Sequence, residues 1–197
     1  MYRTGDPLDH WIYLFHFLFY AAFLPRFFAR SARTLTRGEE KPAAARFSRG
    51  LVFFHMLGLG VLYFGVGRAV FGRLQRALFP PQRLAGAAVI VAAIALVAWT
   101  LAVFRSWRLR ASLEAGHELS TDGPFGFVRH PIYLAMDLLA LGTLLWLPDP
   151  LVAIGTVLVA LGGDLRARAE ETVLLAVFGD RYREYQRRVK RFIPGVY

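Results

Sequence analysis

Two short polar clusters in an otherwise apolar chain hold the residue types that can do chemistry. The first is Gly116-His117-Glu118-Leu119-Ser120-Thr121-Asp122-Gly123-Pro124-Phe125, continued by Arg129-His130-Pro131-Ile132-Tyr133. Gly123-Pro124 favours a turn. Pro131 suits the first position of a helix, where its missing N–H costs nothing. His130 then sits just ahead of that helix, beside backbone N–H groups without intrahelical acceptors and the positive end of the helix dipole. Such an end can bind a carboxylate or hydroxyl groups, and Tyr133 can stack on a ligand or hydrogen-bond to it. The second cluster is Arg166, Glu170 and Glu171. Arg166 and Glu170 share a helix face by their spacing. Taken singly, the first cluster also fits an interfacial loop with aromatic anchors, and the second a solvated i,i+4 ion pair. Brought to one membrane depth, they would unite an imidazole, a phenol, a guanidinium and a carboxylate at one rim.

The elements that must position them are membrane helices. Of the 197 residues, 56% are hydrophobic and mean hydropathy is +0.40, above the range of typical soluble domains. The chain has no cysteine, which excludes disulfides, thiolate metal sites and a cysteine nucleophile. A bilayer core of ~30 Å needs ~20 apolar residues in a helix. Five runs meet or approach that length: Trp11–Phe28, Leu51–Gly67, Leu84–Phe104, Ile132–Leu147 and Leu151–Gly163, the last able to continue helically into Asp164–Phe178. Pro148-Asp149-Pro150 leaves room only for a tight turn between the fourth and fifth. That hairpin returns residues 164–171 to the depth of residues 130–133. Acidic Asp6 and Asp9 before the first run, with no small-residue cleavage site after it, argue against a cleaved signal peptide.

The formal net charge of +10 punctuates these runs. With the N-terminus outside, 19 of the 24 basic residues fall in inner segments, so the positive-inside rule predicts an N-out, C-in protein with both polar clusters facing the cytoplasm. Charge distributed by topology attracts anionic lipid and argues against a nucleic-acid partner. Only Lys41 and Lys190 are lysines, the bias of a GC-rich bacterial genome, so the expected location is a bacterial inner membrane. Phe178, Tyr182, Tyr185 and Val189 recur at three- and four-residue spacing among arginines, predicting a C-terminal amphipathic surface helix. The predicted fold is one compact all-α integral membrane domain of about five transmembrane helices.

The two clusters resemble the core of the membrane-embedded methyltransferases related to isoprenylcysteine carboxyl methyltransferase and the phospholipid N-methyltransferases. The pattern runs through Gly116, His117, Leu119, Thr121, Gly123, Pro124 and Phe125, then Arg129, His130, Pro131 and Tyr133, then Glu170 and Glu171. It closes with Phe178, Gly179, Tyr182, Tyr185 and Pro194. The resemblance covers roughly residues 105–194, and residues 1–83 have no comparable pattern. It divides the chain into a two-span region, 1–83, and a methyltransferase core, 84–197.

That resemblance implies S-adenosylmethionine as methyl donor and S-adenosylhomocysteine as product. Carried over, the donor site is lined by His117, Glu118, Leu119, Ser120, Phe125, His130, Pro131, Ile132 and Tyr133, with Glu170 and Glu171. Arg166 faces the acceptor, and Arg166 and Glu170 are the catalytic pair. One departure is Ala135, where the family often has glycine. The acceptor is expected to be a lipid or other lipophilic molecule. A phospholipid amine headgroup is the alternative acceptor, and a non-catalytic lipid-binding or scaffold protein is the alternative role.

Methyl transfer from a sulfonium is an in-line displacement carried by positioning and electrostatics, with no metal required. A carboxylate acceptor needs no base, whereas an amine or thiol would lose a proton to a rim carboxylate or histidine. Asp137 lies ~9 Å into the fourth span, where an unpaired charge costs ~2.5–3.5 kcal/mol on insertion scales. It is a candidate substrate contact, or equally a paired polar contact between helices. His16 is placed ~9 Å below the outer surface and His55 ~6 Å from the inner one by helical rise. In a ~30 Å core they stand ~15 Å apart along the normal, too far to share an iron. Gly58, Gly60, Gly65 and Gly67 follow no strand, so they read as close helix packing rather than a nucleotide fingerprint.

Overall fold

The protein is described by a computed structural model covering residues 7–25, 42–72, 80–103 and 119–197, the side chains of 42–48 and 80 excepted. His117 and Glu118 lie outside the described residues, as do the end of the first predicted span and the connections after it and before Leu119. Six α-helices are seen there: α1 (Trp11–Ala21), α2 (Pro42–Phe71), α3 (Pro80–Val103), α4 (Pro131–Trp146), α5 (Pro150–Phe178) and α6 (Asp180–Arg188). Single 3₁₀ turns occur at Pro7–His10 and Gly123–Gly126. The only β pairing among the described residues is an isolated parallel bridge between Val128 and Lys190.

By length and composition, Arg49–Phe71, Pro81–Val103 and Pro150–Phe178 can each cross a membrane. The helix Pro131–Trp146 is apolar but shorter. The described residues thus form the all-α fold of a membrane protein. Local signals set the helix starts. Pro131 opens α4 with His130 at the cap position. Pro150 opens α5, and the Asp149 side chain accepts the Leu151 N–H at 2.8 Å. From there α5 runs unbroken for 29 residues, about 44 Å of helix. A ~30 Å hydrocarbon core accounts for two thirds of that length, so its Asp164–Phe178 portion has length to spare beyond the lipid. Gly179 ends α5 at φ +52° and turns the chain into α6, a backbone geometry that favours glycine.

Two glycine seams hold the bundle. A Cβ on Gly155 would stand 2.5 Å from Leu62 Cα, one on Gly65 2.7 Å from Val152 N, and one on Gly58 2.9 Å from the Leu158 carbonyl carbon. So α2 and α5 meet backbone to backbone. Gly86 and Gly142 do the same for α3 and α4. Small residues allow this approach where lipid offers no hydrophobic drive for helix association. Only one glycine of each Gly-x-Gly pair in α2 serves the seam, for Gly60 and Gly67 face open space. The reason is helical: two residues on is a turn of about 200°, onto the opposite face.

Polar ties lock the remaining elements. His16 on α1 is bonded through Nδ1 to Tyr63 on α2 (2.6 Å) and through Nε2 to Thr143 on α4 (2.8 Å). Both ring nitrogens are taken by hydroxyls, so the histidine joins three helices. At one end of the bundle Arg83 pairs with the buried Asp9 (2.8 Å), which also accepts from Trp146 Nε1 (3.3 Å). At that end too, Arg68 pairs with Asp149 (2.5 Å).

Gly155→Ala is expected to lower the thermal unfolding midpoint in detergent, by an amount equivalent to about 1–3 kcal/mol of overpacking. Gly60→Ala is expected to leave the midpoint unchanged or raise it, since alanine gains up to about 1 kcal/mol over glycine in a helix. Equal midpoints for the two variants would refute the seam.

Candidate active site

The site forms where the N-terminus of α4 meets the C-terminal half of α5. The 3₁₀ turn Gly123–Gly126 leads into it across the end of α3. Gly123 takes φ +59° there, and a Cβ on it would stand 3.1 Å from the Val103 side chain. Pro124 and Phe125 are buried. Leu119 and Ser120 are half-buried in the segment just before. His130, Pro131 and Tyr133 are buried and Ile132 is half-buried.

Glu170 and Glu171 are neighbours in sequence with opposite surroundings. Glu171 is 5% exposed and its oxygens are crowded with donors. Oε1 accepts from Arg129 Nε (3.0 Å) and Nη2 (2.8 Å), His130 Nε2 (3.2 Å) and Arg191 Nε (3.0 Å). Oε2 accepts from Arg191 Nη2 (2.7 Å) and Gln186 Nε2 (3.3 Å). A buried carboxylate is tolerated only when so paired. The bond to Glu171 in turn pushes the Arg191 pKa up. Arg129 also donates through Nη1 to the Val189 (2.5 Å) and Gln186 (3.4 Å) carbonyls, satisfying the exposed acceptors at the end of α6. The Arg129 and His130 N–H groups donate to the Lys190 (2.8 Å) and Arg191 (3.2 Å) carbonyls. Burial pushes the Tyr182 and Tyr185 phenols up. Tyr185 donates its O–H to the Phe125 carbonyl (2.6 Å). The predicted amphipathic helix therefore lies against the protein, its tyrosines inward on the loop.

Glu170 instead keeps a third of its side chain exposed. It accepts a hydrogen bond from the Tyr133 hydroxyl, and its Oε2 stands 3.7 Å from His130 Nδ1. The His130 and Tyr133 rings stack with centroids 5.9 Å apart. On Tyr133 the Arg166 guanidinium lies 5.0 Å from the ring centroid, a cation–π distance. Arg166 Nη1 also stands 3.5 Å from His55 Nδ1 on α2. Phe192 and Ala167 pack with Tyr133, so the tail roofs one side of the cluster. Asp137 lies one turn deeper in α4. Its Oδ1 is buried without a hydrogen-bond partner among the described residues, 3.6 Å from where a Gly163 Cβ would stand.

The structure thus brings together His130, Tyr133, Arg166, Glu170 and Glu171, sets Asp137 at the deeper edge, and ties Phe125 to the clasp through its carbonyl, which accepts from Tyr185. Three contributors were given no role from the sequence, although Arg129 stood in its first cluster. Arg129 and Arg191 reach Glu171 from 42 and 20 residues away, separations without a periodic signature. His55 had a usable signal, for its depth near the inner end of the second span matches that of Tyr133.

Comparison with known proteins agrees with this core. Residues 84–176 match the model of the isoprenylcysteine carboxyl methyltransferase family. The protein-S-isoprenylcysteine O-methyltransferase of Schizosaccharomyces pombe is 37% identical over 82 residues, 40% of this chain and 34% of that one. The enzyme of the same name from Xenopus laevis is 33% identical over 81 residues, 41% of this chain and 28% of that one. The matched stretch spans about a third of the length of these curated relatives. The family match opens at the start of α3 and stops before Gly179, so α6 and the tail stand outside it. The likeness to the isoprenylcysteine carboxyl methyltransferase family of membrane methyltransferases thus covers residues 84–176, which hold most of α3, all of α4, most of α5 and the clustered side chains.

Proposed function

We propose that this protein is an integral-membrane methyltransferase that moves a methyl group from S-adenosylmethionine to a carboxylate on a lipophilic, isoprenylcysteine-like acceptor. One observation carries the reading: within the family segment, Glu170, Tyr133, His130 and Arg166 converge at one rim, with Glu170 still open. The donor set fits the cofactor. Glu170 offers an anion to a cationic ligand, His130 and Tyr133 offer ring faces, and the first turn of α4 offers N–H groups of Ile132 and Tyr133 to hydroxyls or a carboxylate. Leu119, Ser120, Phe125 and Pro131 complete the lining, with His117 and Glu118 expected to join them. S-adenosylmethionine, when bound, supplies an activated methyl group on a sulfonium.

The chain's own residues do the rest. Glu170 holds the donor side and keeps the Tyr133 hydroxyl oriented. Glu171 acts through His130 and Arg129, because its lone pairs are already engaged. Arg166 holds the acceptor anion by charge, which needs no base to become nucleophilic. The same guanidinium would repel a protonated amine headgroup, so the carboxylate reading is preferred over a phospholipid N-methyltransferase. A scaffold would not require an exposed acid beside an imidazole and a phenol. Asp137, deeper in α4, is a polar contact for the acceptor as it enters between helices.

The arrangement that fits this chemistry is five spans, N-out and C-in, in a bacterial inner membrane, with the rim at the cytoplasm where the donor is dissolved. The arginine distribution supports it. So does the alternation of helix ends, with Asp9, Arg68, Arg83 and Asp149 paired at one end and His130, Arg166 and Glu170 gathered at the other.

Calorimetric titration of the detergent-solubilised protein with S-adenosylhomocysteine is expected to give saturable binding, weakened at least about tenfold in Glu170→Ala by loss of a charged contact. Absence of binding to folded wild type would overturn the methyltransferase reading. Glu171→Gln tests the neighbouring role. Removing the charge leaves two largely enclosed guanidinium groups short of a partner, a loss of up to about 3–5 kcal/mol, the figure for a fully buried pair. Trypsin is expected to cut after Lys190 and Arg191 in Glu171→Gln but not in Glu170→Gln. A tail equally resistant in both would show that Glu171 does not hold it.

A further inference from the structure

We infer that His55, on α2 and outside the family segment, is an acceptor-positioning residue that completes the anion site of Arg166. The inference rests on the methyltransferase reading and adds a residue to its site. His55 is fully buried, and three neighbours fix its ring. The α5 backbone presses on one side, for a Cβ on Gly162 would stand 3.0 Å from His55 Cβ and 3.1 Å from Cγ. Tyr133 lies on another side, its ring centroid 6.0 Å away at 51°. Arg166 Nη1 approaches Nδ1 at 3.5 Å.

That contact decides the tautomer. A guanidinium has N–H donors and no acceptor, so Nδ1 presents its lone pair to Arg166 and the proton belongs on Nε2. This Nε2 is buried with no hydrogen-bond partner among the described residues. Burying a donor without an acceptor is costly, and native proteins keep few such groups without a reason. The neighbourhood supplies the reason. The imidazole that carries the orphaned N–H stands beside the Arg166 guanidinium and the Tyr133 ring of the proposed reaction site, and an acceptor oxygen brought there by a ligand would satisfy it. A carboxylate head held by Arg166 brings such an oxygen. A charged acceptor gains about twice as much from a donor as a neutral one does, so His55 favours a carboxylate over an uncharged head of the same shape.

The test uses the full-length protein in detergent with three probes: S-adenosylhomocysteine, N-acetyl-S-farnesyl-L-cysteine and the carboxamide of that acid. The variants are His55→Leu, which removes both nitrogens at similar volume, and His55→Gln, which retains an N–H donor. Wild type is expected to bind the acid more tightly than the carboxamide. His55→Leu is expected to weaken acid binding about tenfold or more and carboxamide binding no more than about threefold. S-adenosylhomocysteine affinity should stay within about twofold, and His55→Gln should recover part of the acid preference. Unchanged acid preference in His55→Leu overturns the inference and leaves the methyltransferase reading standing. So does a parallel loss for all three probes, which marks a packing role. Wild type that binds S-adenosylhomocysteine but not the acid also overturns it, and wild type that binds neither overturns the methyltransferase reading as well.

Discussion

The structure turns on one buried carboxylate. Glu171 lies on the face of α5 that a membrane protein would normally fill with an apolar residue, and there its charge is tolerable only because donors surround it. Those donors come from three separate stretches: Arg129 and His130 ahead of α4, Gln186 in α6, and Arg191 in the tail. The need to satisfy one anion therefore dictates where the loop, the last helix and the tail must lie. The main chain follows the side chains, with Arg129 and His130 donating to the tail's carbonyls in the parallel bridge. Remove the carboxylate and two guanidinium groups at 9% and 14% side-chain exposure are left facing each other.

What the clasp fixes, the glycine seams bring into range. The side chains of the candidate site sit on α2, α4 and α5 and at the cap position of α4. Arg166 can touch both Tyr133 and His55 because Gly162 lets α2 approach α5 at backbone distance, while Gly163 leaves room beside Tyr133 and Asp137. A Cβ at Gly162 would stand 3.0 Å from the His55 Cα and press α2 away from α5, whereas one at Gly163 would make only ordinary contact at 3.6 Å. The packing that stabilises the bundle and the geometry that assembles the site are therefore one constraint.

Much of this was legible in the sequence, for identifiable reasons. Pro131 and Pro150 mark helix starts through their missing N–H, and the Pro148-Asp149-Pro150 turn permits only a tight hairpin. From those two facts the meeting of residues 130–133 with 166–171 follows by length alone. The tyrosine spacing at 182 and 185 likewise announces a one-sided helix. Two matters were not legible, and a third signal went unused. The partners of Glu171 are fixed by tertiary folding, and nothing in the local spacing of Arg129 or Arg191 names them. The choice between Gly58 and Gly60, or Gly65 and Gly67, depends on which face of α2 meets α5, and an apolar helix shows no polar stripe to reveal it. His55 was weighed as a metal ligand, although its depth already placed it level with Tyr133.

The two adjacent glutamates show how a helix assigns roles. One residue along an α-helix is a rotation of about 100° and a rise of about 1.5 Å. That step separates Glu170, facing Tyr133 with a third of its side chain exposed, from Glu171, facing the clasp. Side chains of identical chemistry thus serve opposite ends, one available to a ligand and one spent on architecture. The coupling between them is His130, whose Nε2 faces Glu171 and whose Nδ1 faces Glu170. An imidazole held from behind by a saturated carboxylate has little freedom to turn, so the open carboxylate in front meets a ring of fixed orientation. The Glu-Glu pair works because its members are adjacent in sequence and divergent in space.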